Sequence, residues 1–296
     1  MKNLNLLAVS AAFLLSANTL VSCKKAELID PETTSSGRTI RPKKGTTTPV
    51  PVSTSETSST SGHQVTWDNH PEGTYSFSEA ISDFSNLSSW NESRAQILSG
   101  SFRTTLLKNT LAEGGLITRI DVPDASAYRL TYRMMFDRNF DWSRGGKVGF
   151  GLLLGDGYTG GESTTDGNGG SARIMWEQNS AGRVYLKPYL YYRDQPGTWG
   201  NDFSRSFPSY GSIEKGIWYD VEIYVKSNTG SNTDGEIKMV INGTTVISQA
   251  IRWTTNDSKR LINRICFETF RGGSETYWQS TTDGYIYFDN LTWSAY

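Results

Sequence analysis

Residues 217–226, IWYDVEIYVK, put Ile217, Tyr219, Val221, Ile223 and Val225 on alternate positions, with Asp220, Glu222 and Lys226 between them. A period of two is the pattern of a strand with one buried face, and it cannot be laid onto one face of a helix. The same reading applies to residues 128–136 (YRLTYRMMF), 171–176 (SARIMW), 183–192 (RVYLKPYLYY) and 284–295 (GYIYFDNLTWSA). In GEIKMVINGTTVIS, two apolar runs meet at Asn242-Gly243, a pair that tolerates positive φ at both turn positions and so predicts a hairpin. A helical period is almost absent after residue 62; the one weak candidate is residues 78–87. Many short antiparallel strands with turns at regular spacing predict an all-β chain, a two-sheet sandwich or jelly roll presenting a concave face on which a sugar chain can lie.

Ahead of those strands the 296-residue chain changes character twice. Residues 1–22 carry Lys2 and then an apolar run ending in small residues, which reads as a secretory signal, too short for a membrane span. Leu20-Val21-Ser22-Cys23 resembles a bacterial lipobox, so Cys23 is the expected lipidation site and the protein is expected to be exported and anchored to a bacterial membrane. The alternative is an ordinary cleaved signal with Cys23 incidental. Residues 23–62 are rich in Ser, Thr, Pro and Lys and too poor in large apolar side chains to form a core, so they read as a tether. Residues 63–296 are then one β domain.

Composition removes several chemistries. The cysteines are Cys23 and Cys266, so lipidation of Cys23 leaves no partner for a disulfide, and Cys266 reads as a small buried residue. The two histidines, His63 and His70, precede the main strands, which excludes a three-histidine zinc site and leaves little for a serine triad. A net charge of −1 gives no broad basic field for nucleic acid. Asp156, Asp166 and Asn168 do not match an EF-hand spacing and read as turn residues, so no metal and no cofactor is expected. An E-x-D-x-x-E strand pattern is missing, which argues against a glycosidase working through two carboxylates about 5 Å apart.

A cationic and phenolic set remains. Lys147 enters an apolar run in DWSRGGKVGFGLLLGDG, as either an edge-strand charge that keeps the strand soluble or an ammonium aimed into a groove. Ser171 and Arg173 share one strand face, and so do Tyr189 and Tyr191. Such a set suits β-elimination on a polyuronate, which needs the sugar carboxylate neutralised, the C5 proton removed and a proton delivered to the O4 leaving group. Arg or Lys can do the first, and a tyrosine can carry protons without histidine or metal.

Taken in order, FDWSRGGKVGFGL, GGSARIMW, PYLYYRDQPG, DGEIKMVINGTTV and FETFRGGSETYWQSTTDGYIYFDN resemble polysaccharide lyase family 14, over residues 93–296. That resemblance implies a jelly roll that cleaves an acidic polyuronate, alginate or glucuronan, by β-elimination. It places the family's lysine on Lys147, its Ser-x-Arg on Ser171 and Arg173, and its Tyr-x-Tyr on Tyr189 and Tyr191. Lys147 and Arg173 are assigned to the carboxylate, with Lys147 also a candidate base, and one of the two tyrosines to the proton for O4. Around this set, Arg252 is either an anionic-subsite contact or a surface residue, Arg271 is a candidate substrate contact, and Tyr277 and Trp278 either stack on sugars or form a rim. The expected partners are an acidic polysaccharide and, through Cys23, a membrane, with no nucleic acid and the protein a monomer; the rival reading is a non-catalytic carbohydrate-binding lipoprotein of the same fold.

Overall fold

The computed structural model describes residues 62–296. The expectations for residues 1–22, for Cys23 and for the tether up to residue 61 lie outside the described residues. Fifteen strands follow in order: β1 (His63–Val65), β2 (Gly73–Thr74), β3 (Ala95–Leu98), β4 (Ser101–Leu106), β5 (Leu116–Ala125), β6 (Ala127–Phe136), β7 (Gly145–Lys147), β8 (Phe150–Gly155), β9 (Gly169–Gln178), β10 (Val184–Tyr191), β11 (Trp218–Lys226), β12 (Gly235–Ile241), β13 (Thr244–Ile251), β14 (Ile262–Arg271) and β15 (Gly284–Ala295). They form a nine-stranded sheet, β13-β12-β11-β6-β15-β4-β3-β2 with β1 also on β15, and a six-stranded sheet, β10-β9-β7-β14-β5 with β8 between β9 and β14. Every pairing is antiparallel.

The period-two segments fold as their patterns dictate. Tyr219, Val221, Ile223 and Val225 of β11 are buried, while Ile217, just outside the strand, is 46 % exposed. The β12–β13 hairpin turns at Asn242 and Gly243 with φ of 48° and 73°. The helix starts at Phe77 behind a Ser76–Glu79 capping box and stops at Phe84, because Ser85 adopts a φ of 67° that helix geometry does not allow; it is shorter than residues 78–87 at its C-terminal end. Among the described residues no helix is long and apolar enough to cross a membrane.

Between the sheets, Phe102 and Phe288 from the nine-stranded sheet meet Phe150 and Phe267 from the other, with ring centroids 4.7–5.9 Å apart. All four are fully buried, and each burial stabilises by about 1.5–3 kcal/mol. These rings clamp the sheets together and leave the opposite face of the six-stranded sheet outward. On that face stand Lys147, Ser171, Arg173, Met175, Glu177, Lys187, Tyr189, Tyr191, Glu268 and Phe270, as the strand registers require.

A candidate catalytic face

Lys147 ends β7, where the chain breaks step before β8. Gly149 makes the break: its φ of +82° suits glycine, and a Cβ there would strike the Tyr132 ring at 2.6–2.8 Å. The Gly149 carbonyl accepts from Glu268 N at 3.0 Å and its N–H donates to Thr269 Oγ1 at 3.0 Å, so the irregularity is tied to β14. This kink answers why a lysine stands among glycines. Lys147 is a half-buried ammonium on the outward face, its Nζ 4.6 Å from the centroid of the Tyr189 ring and 5.6 Å from that of Phe270.

The β9–β10 pairing sets Tyr189 opposite Arg173 and Tyr191 opposite Ser171. Arg173 lies 5.3 and 5.2 Å from the two tyrosine ring centroids and donates through Nη1 to Glu268 Oε2 at 2.6 Å. Glu268, 4 % exposed, also accepts from Arg119 Nη2 at 2.6 Å. Burial by itself would raise the Glu268 carboxyl, but Arg173 and Arg119 outweigh it and hold the group below its ordinary value. Nε and Nη2 of Arg173 are buried without a hydrogen-bond partner. The ion pair with Glu268 therefore leaves two of the guanidinium nitrogens unused beneath the tyrosines.

Burial, reinforced by Arg173 and Lys187 and opposed by Glu268, brings the Lys147 ammonium down to about 8. Lys187 is itself spoken for, with Glu177 at 2.6 Å and Asp202 at 3.2 Å. The two tyrosines differ. Tyr191 is fully buried, its phenol accepts from Gly161 N at 2.8 Å, and burial pushes its pKa upward. Tyr189 lies beside Lys147, and Gly200 makes room for it, since a Cβ there would meet the ring at 2.8 Å.

The other expected site residues divide. Ser171 is fully buried and donates Oγ–H to the Tyr158 carbonyl at 2.8 Å, so it anchors a loop. Arg173 sits 3 % exposed beneath the tyrosines, and its place is a support under the face more than an open contact on it. Trp278 packs against the cluster of Met175, Tyr189 and Tyr191, as does Tyr158, while Tyr277 beside it is 66 % exposed. Arg252 is held by Asp194 in a two-pronged pair at 2.8 and 2.6 Å.

Arg271 corrects an expectation. It is 1 % exposed, on the inward side of β14 with Ile265 and Phe267, its Nη1 donating to the Asp141 carbonyl at 2.7 Å and its guanidinium 4.9 Å from the Phe140 ring centroid. Strand alternation turns its side chain away from the outward face. Asp166 accepts from Tyr158 and Asn168, and Asp156 pairs with Lys259, both as turn residues do. Cys266 is buried, and burial pushes its thiol up to about 12.

The residues that sequence reasoning missed are Glu268, Arg119, Met175, Tyr158 and Phe270. Glu268 carried a usable signal, a lone carboxylate out of step with Ile265 and Phe267 in ICFETF. Met175 carried one too, two residues beyond Arg173 on the same strand face.

The model of one family, Polysaccharide lyase 14, matches residues 94–291. The chain belongs to that family. An alginate lyase, Aly36B, solved with a lysine and a tyrosine replaced by alanine and with alginate tetrasaccharide bound, is 54 % identical over 80 % of this chain and 98 % of its own, with a TM-score of 0.79. The same lyase with a lysine and a methionine replaced, bound to alginate trisaccharide, matches at 54 % identity over 80 % and 99 %, again with a TM-score of 0.79. The alginate lyase vAL-1 from Chlorella virus is 25 % identical over 71 % of this chain and 93 % of its own, with a TM-score of 0.58. No protein of curated function matches. The chain is a polysaccharide lyase, and its antiparallel sandwich is the jelly roll expected from its strands.

Proposed function

We propose that this lyase cleaves alginate by β-elimination, with Lys147 as the base and Tyr189 as the acid. The observation that carries the reading is the Lys147–Tyr189 pair above the partly unsatisfied Arg173. It agrees with the Aly36B complexes. The lysine and tyrosine replaced there stand 42 positions apart, the separation of Lys147 from Tyr189. The lysine and methionine replaced in the second complex stand 28 apart, the separation of Lys147 from Met175.

In this reading the neutral Lys147 amine takes the C5 proton. The electron pair left behind spreads into the uronate carboxylate, which the positive potential of Arg173 stabilises, and then forms the C4=C5 double bond as the C4–O4 bond breaks. The Tyr189 phenol protonates O4, and the ammonium of Lys147 restores the phenol's proton. Tyr191, its phenol engaged by Gly161, positions Tyr189 and Arg173.

Ultraviolet absorbance of the unsaturated product tests this. Absorbance is expected to rise with alginate faster than with glucuronan, and Tyr189→Phe is expected to lower kcat by about 10²-fold or more. A Tyr189→Phe enzyme with the parent's kcat would remove Tyr189 as the acid.

The pH profile tests the base separately. With Lys147 at about 8, log(kcat/KM) is expected to rise with unit slope as pH approaches 8 and then level off, because only the deprotonated amine takes a proton. A profile that instead falls through pH 8 would make Lys147 a carboxylate-binding cation.

Export and lipid attachment at Cys23, with residues 23–62 as a tether, belong to the same proposal and are supported by the apolar run of residues 1–22, by Leu20-Val21-Ser22-Cys23 and by the Ser/Thr/Pro-rich composition of the tether. Expressed in a bacterium that lipidates its exported proteins, the chain is expected in the membrane fraction, and Cys23→Ser is expected to release it.

A further inference from the structure

At the Tyr191 end of the catalytic row, two loops enclose a cleft of ≈ 550 Å³ lined by residues 161–165 and 193–198. It adjoins the catalytic face through Gly161 and the chain leading into it. Gly161 donates to the Tyr191 phenol, and Tyr158, which leads into the first loop, packs on the Met175–Tyr189–Tyr191 cluster. Trp199 ends the second loop 61 % exposed, close enough to Gly161 that a Cβ there would meet the indole at 2.8 Å.

The charge of this cleft is uneven. Asp194 is neutralised by Arg252, which grips both of its carboxylate oxygens. Glu162 faces solvent and accepts from Thr159 N at 2.7 Å, closing its own turn. Arg193 has no ion pair among the described residues, and its Nε is buried without a hydrogen-bond partner. The Arg193 Nη atoms, neither buried nor hydrogen-bonded among the described residues, are free donors for a sugar carboxylate, and the exposed Trp199 indole beside Gly161 is a platform for a sugar ring.

We propose that this cleft is a uronate subsite, in which Arg193 binds the carboxylate of a sugar neighbouring the reacting one and Trp199 stacks on its ring. Arg193 lies two residues past the end of β10 and four past Tyr189, at most roughly 13 Å along the chain, which places it in reach of a sugar next to the reacting one. The inference rests on the polyuronate lyase reading and extends it to a second sugar. It gives Arg252 a part as well, that of a positioning residue which cancels Asp194 and so leaves Arg193 the uncompensated charge.

The test measures dissociation constants for the full chain carrying Lys147→Ala, which blocks turnover, with and without Arg193→Gln or Trp199→Ala. The probes are alginate oligosaccharides and the same oligosaccharides with their carboxylates reduced to alcohols. Arg193→Gln is expected to weaken the charged probe about tenfold and leave the reduced probe unchanged, whereas Trp199→Ala weakens both. Unchanged affinity in Arg193→Gln, or equal weakening of both probes, overturns the subsite. The lyase reading fails by a different sign: the unmutated chain forms no unsaturated product from any polyuronate.

Discussion

Lys147→Ala is expected to lower kcat/KM on alginate by about 10² to 10⁴-fold while the chain stays folded and still binds the polymer. The loss falls on the chemical step because the substitution removes the base and leaves Tyr189, Arg173 and Glu268 in place. Stability is expected to hold or rise slightly. A half-buried ammonium brought down to about 8 is a cost to the fold below that pH, and alanine does not carry it. Lys147→Arg separates base from cation: the guanidinium keeps the charge and stays protonated, so it is expected to be as inactive as alanine. Activity restored by arginine would show that the charge alone is needed. Initial rates and thermal melts of the three proteins decide between these outcomes.

The largest effect on stability is expected at Glu268. Its carboxylate holds Arg173 and Arg119 at 2.6 Å each and is 4 % exposed, so Glu268→Ala strands the buried Arg173 guanidinium. Removing one partner of a buried pair costs about 3–5 kcal/mol, which for a domain of this size lowers Tm by roughly 6–20 °C. Activity should fall too, since Arg173 loses the group that aims it under the tyrosines. The pH dependence has a definite sign. Because the folded carboxyl lies below its ordinary value of 4.5, its contribution is fully present above that value and is lost as pH falls through the lower folded value. Glu268→Gln is therefore expected to flatten the acid limb of the Tm–pH profile, and an unchanged limb would show that the pair contributes nothing.

The strands were legible because one-sided burial writes itself into a chain with period two. Residues 284–295 and the Asn242-Gly243 turn fold where that pattern puts them. Lys147, Arg173 and Tyr189 were legible as a set for the same reason, since residues two apart share a face and their segments pair. The support beneath them was harder to see. Arg173 and Glu268 are 95 positions apart, and only the β9–β8–β14 adjacency brings them together. Arg271 shows the opposite error: a charged residue before a glycine pair reads as a loop contact, yet counting in twos from Phe267 places it inside. The roles of the two tyrosines were not separable by spacing, because the difference between them is made by Gly161, from a loop 30 positions away from Tyr191.

The most direct measurement is the mass of the alginate fragments formed in water enriched in heavy oxygen. Elimination breaks the C4–O4 bond without adding water, so the new ends are expected to include an unsaturated sugar and to carry no heavy oxygen. Saturated fragments that have gained one water per bond cut, with a single heavy oxygen at the new reducing end and none at the other, would mean hydrolysis, and would contradict the account of Lys147 and Tyr189 as an eliminating pair.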